Sequence, residues 1–399
     1  MRDLVSDIPI YFDYHSTTPV DRRVADVVSK CMLEDFGNAS SSQHKFGYDA
    51  NQKVEAARKS ISTLIGASRA KVVFTSGATE ALNIVLQNFA LKNGSSTKKI
   101  AVSTVEHSAV LNTVQLLSRH GQLEVRYLPV DSQGRLDMGT LENTVKDGVD
   151  LVCVMAANNE IGNIYPIAQV SKICASYNTP ILCDASQAAG RTHVEFDDWD
   201  LTYLVLSAHK MYGPKGIGAL VCKRDCLPKP ITFGGEHEYG VRPGTLNVPA
   251  IAGFGEACRI RLNEMTHDEN TISLKRNQLL NGLKARIESI SVNGDQANHL
   301  AGNLHISIPG VPNDALVARL RNTLALSTGS ACASGVEGPS HVLQAMRLSQ
   351  ELMDSAIRIG IGKFNSDEEI ERAIDLIAIN VEAIRKLNDR EISKNLSKV

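Results

Sequence analysis

The most constraining feature of this chain is a series of short apolar runs that do not alternate with polar residues. KVVFT, KIAVST, LEVRYLPV, LVCVMAA, PILCDAS, LTYLVLSA and GIGALVCK follow one another between residues 71 and 223, separated by amphipathic stretches such as ATEALNIVLQNFAL and Ser108–His120. A strand with one wet face alternates; a strand apolar throughout is covered on both faces. Helical segments between such strands are the crossovers that a parallel sheet requires. The expected class is therefore α/β, with a large domain built on a mostly parallel seven-stranded sheet.

The texture changes near residue 255. ACRIRLNEMTHDENTISLKRNQLLNGLKARIESI is charged, helical in period and without a strand, and should carry the chain into a smaller α+β domain. ISVNG, NLHISIPG and AIRIGIG are expected as its strands, with helices near 314–322, 341–346 and 367–387. The expected division is 16–260 for the large domain, and 1–15 with 261–399 for the small one. A chain of 399 residues is long enough for two such cores.

Forty-two basic against 44 acidic residues leave a formal charge of −2, so no global basic field suggests direct nucleic-acid binding. No apolar run has transmembrane length, and the N-terminus lacks the apolar stretch of a secretory signal. Eight scattered cysteines without a signal suggest a reduced, cytoplasmic protein. Cys153 and Cys183 lie in apolar runs and read as core. Cys222 and Cys226 have no second pair at zinc spacing, and no metal is expected.

Candidate chemistry lies where apolar runs end. In LSAHKMYGPKG, Ser207, His209 and Lys210 follow a buried strand; a desolvated lysine tends toward the neutral amine that bonds a carbonyl carbon. In FTSGATEALN a tight turn leads into a helix beginning near Ala78, whose free N–H groups and Thr79 hydroxyl suit a phosphate, or simply cap the helix. Asp184, in ILCDASQAAG, either caps the next helix or pairs with a cation such as a ring nitrogen. His107, in VEHSAV, caps a helix or stacks on a planar group. Asn159, in AANNEIGNI, forms a turn or binds a polar ligand atom. Arg358, in SAIRIGIG, needs a carboxylate, internal or from a substrate. Cys332, in LSTGSACASGVEGPSHVL, sits among small residues, a poor core environment and a suitable one for a reactive thiol.

Taken together these motifs resemble the NifS/IscS-like cysteine desulfurases, in the class V aminotransferase group of fold-type I pyridoxal-phosphate (PLP) enzymes. SGATE, EHSAV, NNEIG, DASQAAG, SAHKMYGPKG, RPGTLNVP and STGSACASG occur in that family's order and spacing, and the resemblance spans nearly the whole chain. It implies the PLP-dependent transferase fold. Lys210 would hold the cofactor and act as acid and base at the substrate's Cα. Asp184 would face the pyridine nitrogen, Gln187 the ring hydroxyl, and His107 the ring face. Ala78, Thr79, Ser207 and His209 would hold the phosphate, joined by Thr245 of a second subunit, which implies a homodimer. Arg358, with Asn159 and Asn38, would bind the substrate carboxylate.

The implied reaction converts L-cysteine to L-alanine, leaving a persulfide on Cys332 that passes to a protein acceptor. The thiolate is the reactive form, and His107 is one candidate for the accompanying proton transfer. A selenocysteine lyase or another class V aminotransferase-type enzyme is the alternative, and Cys332 separates a desulfurase from a transaminase. The family often shows GGGQERG or GGGHERG before RSGT. Here Glu236, Tyr239 and Pro243 occupy positions where Gly, a basic residue and Ser are common.

Overall fold

The computed structural model describes residues 8–90, 97–328 and 340–396, with side chains described through residue 388. The chain enters through a two-residue strand, β1 (Ile10–Tyr11), and two helices, α1 (Arg22–Leu33) and α2 (Lys45–Leu64). Asp21 caps α1 by accepting from the Arg23 N–H, and His44 caps α2 by accepting from the Gly47 N–H. The sheet then begins with β2 (Ala70–Thr75), α3 (Ala78–Ala90), β3 (Lys98–Ser103), α4 (Ser108–Arg119), β4 (Leu123–Leu128), α5 (Met138–Lys146) and β5 (Leu151–Cys153). It is completed by α6 (Ile167–Ser176), β6 (Ile181–Asp184), β7 (Tyr203–Ser207) and β8 (Gly218–Lys223).

These strands form one seven-stranded sheet in the order β2-β8-β7-β6-β5-β3-β4. Only β8 runs antiparallel to its neighbours. Val152, Leu204, Leu206, Ala219 and Val221 pack on one face, and Val73, Ile100, Val102, Val205 and Leu220 on the other. Two covered faces explain why the strands lack alternation. β8 enters beside β7 at Gly218, where a Cβ would lie 2.6 Å from the Leu206 carbonyl oxygen and 2.7 Å from the Gly77 Cα. That glycine lets β8 pass directly beneath the turn that follows β2.

Helix α7 (Val248–Arg286) leaves this body and enters a second one. Its first half, including Ile251, Phe254 and Cys258, packs on the sheet; Ile272, Leu279 and Leu283 belong to a separate apolar cluster. That cluster also contains residues of β10 (Asn303–Ser307), α8 (Asn313–Leu320), β12 (Ala356–Gly360) and α11 (Asp367–Leu396). β9 (Ser291–Val292), β10 and β12 make a three-stranded antiparallel sheet in the order β12-β10-β9, and β1 pairs with β11 (Leu324–Ala325). Two short helices, α9 (His341–Ala345) and α10 (Gln350–Asp354), precede β12. Lys363 ties the bodies together: its Nζ lies 2.6 Å from Asp21 and 4.7 Å from the Tyr212 ring centroid, and its N–H donates to the Tyr212 hydroxyl at 3.0 Å.

The segment GGEHEYG carries an ion pair that sequence reading did not anticipate. Arg58 of α2 holds Glu238 with two N–H donors, at 2.5 and 2.9 Å, and the Phe74 N–H adds a third bond at 2.6 Å. The Glu238 side chain is wholly buried and that of Arg58 is 12% exposed. Glu238 and Tyr239 both adopt left-handed backbone conformations, with φ of 50° and 58°. Two such non-glycine residues in sequence are costly unless the surroundings hold them. The pair and the stacking of Arg58 against the Phe74 and Tyr239 rings, at 4.8 and 5.3 Å, supply that restraint. Removing one partner strands a buried charge, so Glu238→Ala should cost about 3–5 kcal/mol. Chemical denaturation checks this; a variant with a denaturation midpoint equal to that of the parent chain would show the pair to be unimportant.

Candidate active site

The carboxyl ends of β5, β6 and β7 and the turn after β2 surround a cavity of about 490 Å³. Parallel strands place their carboxyl ends on one edge, and the helices that follow present their N-termini there. With His107 after β3, five strand-end motifs therefore converge although they lie far apart in sequence.

After β2, Ser76, Gly77, Ala78 and Thr79 line the cavity at the start of α3. The turn is locked by Thr75, whose hydroxyl donates to the Gly77 carbonyl at 2.9 Å, and by Glu80, which accepts the Ser76 N–H. Glu80 is held in turn by Arg242 at 3.0 Å. After β3, His107 caps α4 and also lines the cavity. Its Nδ1 accepts the Ala109 N–H at 3.1 Å, so in the neutral ring the proton sits on Nε2. Capping and facing the site were alternatives in the sequence; the residue does both. Burial pushes its pKa down, opposed by Asp184 and reinforced by Lys210 and His341.

Asp184, at the end of β6, is 8% exposed and lines the cavity. One carboxylate oxygen accepts the Ser186 N–H at 2.9 Å, and among the described residues it makes no salt bridge. Gln187, one turn further on, donates to the His15 carbonyl at 2.8 Å and accepts from Arg191 at 3.2 Å. Ser207, His209 and Lys210 follow β7 and complete the floor. The Lys210 Nζ donates to the carbonyls of His15 and Ser16, each at 2.7 Å. Desolvation, then the charges of Lys210, Lys215 and Arg191, lowers the His209 pKa to about 4.

Residues 15–18 are the part of the site that the motif reading passed over. Ser16 and Thr17 line the cavity, Thr17 pairs with His209 Nδ1 at 3.0 Å, and the Thr18 hydroxyl donates to the His209 carbonyl at 2.9 Å. Tyr212 closes the clasp by donating its N–H to the Thr18 hydroxyl at 2.8 Å. The available signal was the polar run HSTT, four positions past the end of a short strand.

Asn159 lines the cavity, and its carbonyl accepts from Arg358 at 2.8 Å. Arg358 itself is 1% exposed, bonded at 2.9 Å to Asp13, and stands one residue behind the cavity wall. The structure thus supplies the internal carboxylate that the sequence allowed as one alternative. Thr245 and Asn38 are exposed and do not line the cavity within this chain; the Asn38 side chain accepts the Ser40 N–H at 3.0 Å. Cys332 lies outside the described residues. Upstream of it, Ser327 exchanges backbone hydrogen bonds with Arg358 at 2.7 and 3.2 Å; downstream, Ser340 caps α9. Burial pushes up the thiol pKa of Cys153, Cys183 and Cys258, and raises Cys174 and Cys222 to about 12, as befits inert core residues.

Residues 10–373 match the family described as Aminotransferase class-V. A cysteine desulfurase IscS of Anaeromyxobacter sp. (strain Fw109-5) is 42% identical over 385 residues, covering 96% of this chain and 94% of that protein. The mitochondrial cysteine desulfurase of Arabidopsis thaliana is 37% identical over 386 residues, covering 96% of this chain and 85% of that protein. A solved NifS-like protein superposes with a TM-score of 0.86 at 33% identity, covering 93% of this chain and 98% of the other. SspA in complex with cysteine superposes with a TM-score of 0.78 at 29% identity, covering 89% of this chain and 99% of the other. With its parallel sheet, its strand-end cavity and relatives matched over nearly their full length, the chain belongs to the class-V aminotransferase family, among the cysteine desulfurases.

Proposed function

We propose that this protein is a PLP-dependent cysteine desulfurase that converts L-cysteine to L-alanine and collects the sulfur as a persulfide on Cys332. The observation that carries the reading is that Lys210 and Asp184 line one cavity together with the turn 76–79 at the start of α3. The donor set fits the cofactor. Asp184 is a nearly buried carboxylate without a salt-bridge partner among the described residues, suited to a protonated ring nitrogen. The turn 76–79 offers backbone and hydroxyl donors to a phosphate at the start of a 13-residue helix. Lys215 and Arg191 add a positive field, while His209, its pKa lowered to about 4, is neutral near pH 7 and can only hydrogen-bond.

Bound PLP supplies an electron sink for charge developing at the substrate's Cα. The protein's own part follows from the geometry. Lys210 would hold the cofactor and then move the proton at Cα. His107 would pack on the ring with its Nε2 directed away from the helix that Nδ1 caps. Gln187 reaches the ring hydroxyl only by exchanging one of its partners, His15 or Arg191. Arg358 and Asn159 would receive the substrate carboxylate, which competes with Asp13 for the guanidinium. The Cys332 thiolate attacks the substrate sulfur. A sulfur–sulfur bond forms, the carbon–sulfur bond breaks, and its electron pair stays with the carbon that becomes the alanine methyl after protonation.

The exposed Thr245 cannot serve its own chain's cavity from where it sits, which supports a homodimer that shares phosphate contacts. The exposed aromatic surface of Phe36, Phe46 and Tyr48, with Phe36 and Phe46 stacked at 5.5 Å, is a suitable contact face. Asn38 lies beside that face and would act from the partner side. We place the domain division near residue 260, inside α7, with 1–15 joining the second body. No helix among the described residues is long and apolar enough to cross a membrane. The seven cysteines among the described residues are all free, which supports a reduced cytoplasmic setting.

Two outcomes follow. The purified protein should be yellow with PLP, and Lys210→Ala should lose the lysine-bound absorbance band. Cys332→Ala should keep the band and lose at least about a hundredfold in alanine and sulfide production; sulfide release at the parent rate would refute the persulfide role. The second concerns pH. The His209 pKa is lowered to about 4 in the folded chain, against 6.5 for the free side chain. Between those values the unfolded chain binds more protons, so stability falls as pH drops from 6.5 toward 4. In the phosphate-free protein this should cost about 1–2 kcal/mol across that window, allowing for partial exposure. His209→Asn should flatten the acid limb of a thermal-midpoint titration; an unchanged limb would assign the loss elsewhere.

A further inference from the structure

Arg191 belongs to none of the roles above, yet its guanidinium is the most fully bonded polar group near the cavity. It follows Gly190, whose φ of 73° turns the chain under the floor of the site. All five of its N–H donors are used. Nε and Nη2 both reach the Lys210 carbonyl, at 3.2 and 2.9 Å. Nη2 also reaches the Tyr14 carbonyl at 2.7 Å. Nη1 reaches His15 Nδ1 at 2.7 Å and Gln187 Oε1 at 3.2 Å. Because a guanidinium only donates, His15 Nδ1 must be an acceptor, which fixes that ring as neutral with its proton on Nε2. Every acceptor is uncharged, and among the described residues Arg191 makes no salt bridge. A guanidinium does not lose its proton in a protein, so its charge persists without a salt bridge among the described residues, though Glu269 and Tyr212 attract it while Arg261 and Arg358 repel it.

We propose that Arg191 is the positioning residue for Lys210: it clamps the backbone of the lysine and keeps a fixed positive charge beneath it that favours the uncharged amine. The proposal rests on the reading of Lys210 as the residue that holds PLP. An amine bonds a carbonyl carbon only through its lone pair, so Lys210 must shed one proton to load the cofactor. Two cations converge on one residue here. Arg191 donates to the His15 ring, and the Lys210 Nζ donates to the His15 carbonyl. Like charges drawn to one residue disfavour the charged state of the group that can titrate. The other charged or titratable groups around Lys210 are Asp184 at the end of β6, His107 at the start of α4, and His209 and Lys215 on its own loop. Asp184 opposes Arg191, and Lys215 reinforces it. The clamp distinguishes Arg191 from Lys215, because only Arg191 fixes both the charge and the main chain of the lysine.

The test uses the full-length protein loaded with PLP and compares Arg191→Gln, Arg191→Met and Arg191→Lys. The neutral variants should move the pH transition of the lysine-bound absorbance band up by about one unit. They should also take up PLP about tenfold more slowly at neutral pH, since one unit is tenfold in free amine. Arg191→Lys keeps the charge and should leave the transition in place. A merely structural role predicts lower thermal midpoints in all three and no difference between Lys and Gln. Arg191→Gln with the parent transition, or Arg191→Lys shifted as far as Arg191→Gln, overturns the proposal. Should Arg191→Met fail to fold, the Gln and Lys variants decide alone. Lys210→Ala is the control. If it still carries the band, the cofactor reading itself fails; if it is colourless while Arg191→Gln is unshifted, only the Arg191 proposal falls.

Discussion

The site depends on one clasp, in which the N-terminal segment 14–18 is drawn under the loop that carries Lys210. Its bonds are mostly to main-chain atoms: the Lys210 Nζ to two carbonyls, Thr18 to the His209 carbonyl, and Tyr212 to the Thr18 hydroxyl. Arg191 cross-links the same two strands of chain from below. Main-chain acceptors are positioned by the fold and lose little freedom on bonding, so these bonds hold the lysine in place at low entropic cost. The next link runs outward through Asp13, which meets Arg358 of the second body directly after β1. One short segment thus connects the cavity floor to Arg358, the residue proposed for the substrate carboxylate.

Charge in the cavity is arranged by placement rather than by number. The chain has a net charge of only −2, yet Lys210, Lys215 and Arg191 all act on His209 and no carboxylate among its causes opposes them. Of the carboxylates lining the cavity, Glu80 is committed to Arg242 and Asp184 shares the lining with the lysine. A cavity of this kind suits a ligand that brings its own anions, a phosphate on one side and a carboxylate on the other. Glu106 shows the complementary device. Burial raises its pKa to about 8, with the neighbouring Asp184 adding to the shift, while the Met155 N–H bonded to it at 2.6 Å opposes. Such a group adds little negative charge behind Asp184 near neutral pH.

Much of the architecture was legible from pattern alone. Seven short runs, most of them apolar without clean alternation, became the seven strands of the main sheet, and the change of texture near residue 255 falls within α7. Helices α1 and α2 were not anticipated. α2 reads KFGYDANQKVEAARKSISTL, whose buried face of Gly47, Ala50, Val54, Ala57 and Ile61 is carried largely by small residues that give a weak apolar signal. The buried Arg58–Glu238 pair was equally hidden, because its partners are 180 positions apart and each alone reads as a surface charge.

The sequence by itself determined the class of the sheet, the residue types at each strand end and the family to which their order points. These are local or periodic properties, set by which side chains can be buried on two faces and which turns can follow a strand. Only the tertiary structure decided what those residues touch. It assigned Arg358 to Asp13, made His107 a cap as well as a cavity wall, and placed Thr245 and Asn38 outside their own chain's cavity. It also brought residues 15–18 and Arg191 beneath Lys210. The contacts of Arg358 with Asp13 and of Lys210 with residues 15 and 16 join positions more than 150 residues apart, and no spacing in a sequence encodes them. They arise because a parallel sheet gathers its strand ends on one edge and the N-terminal segment returns to cover it.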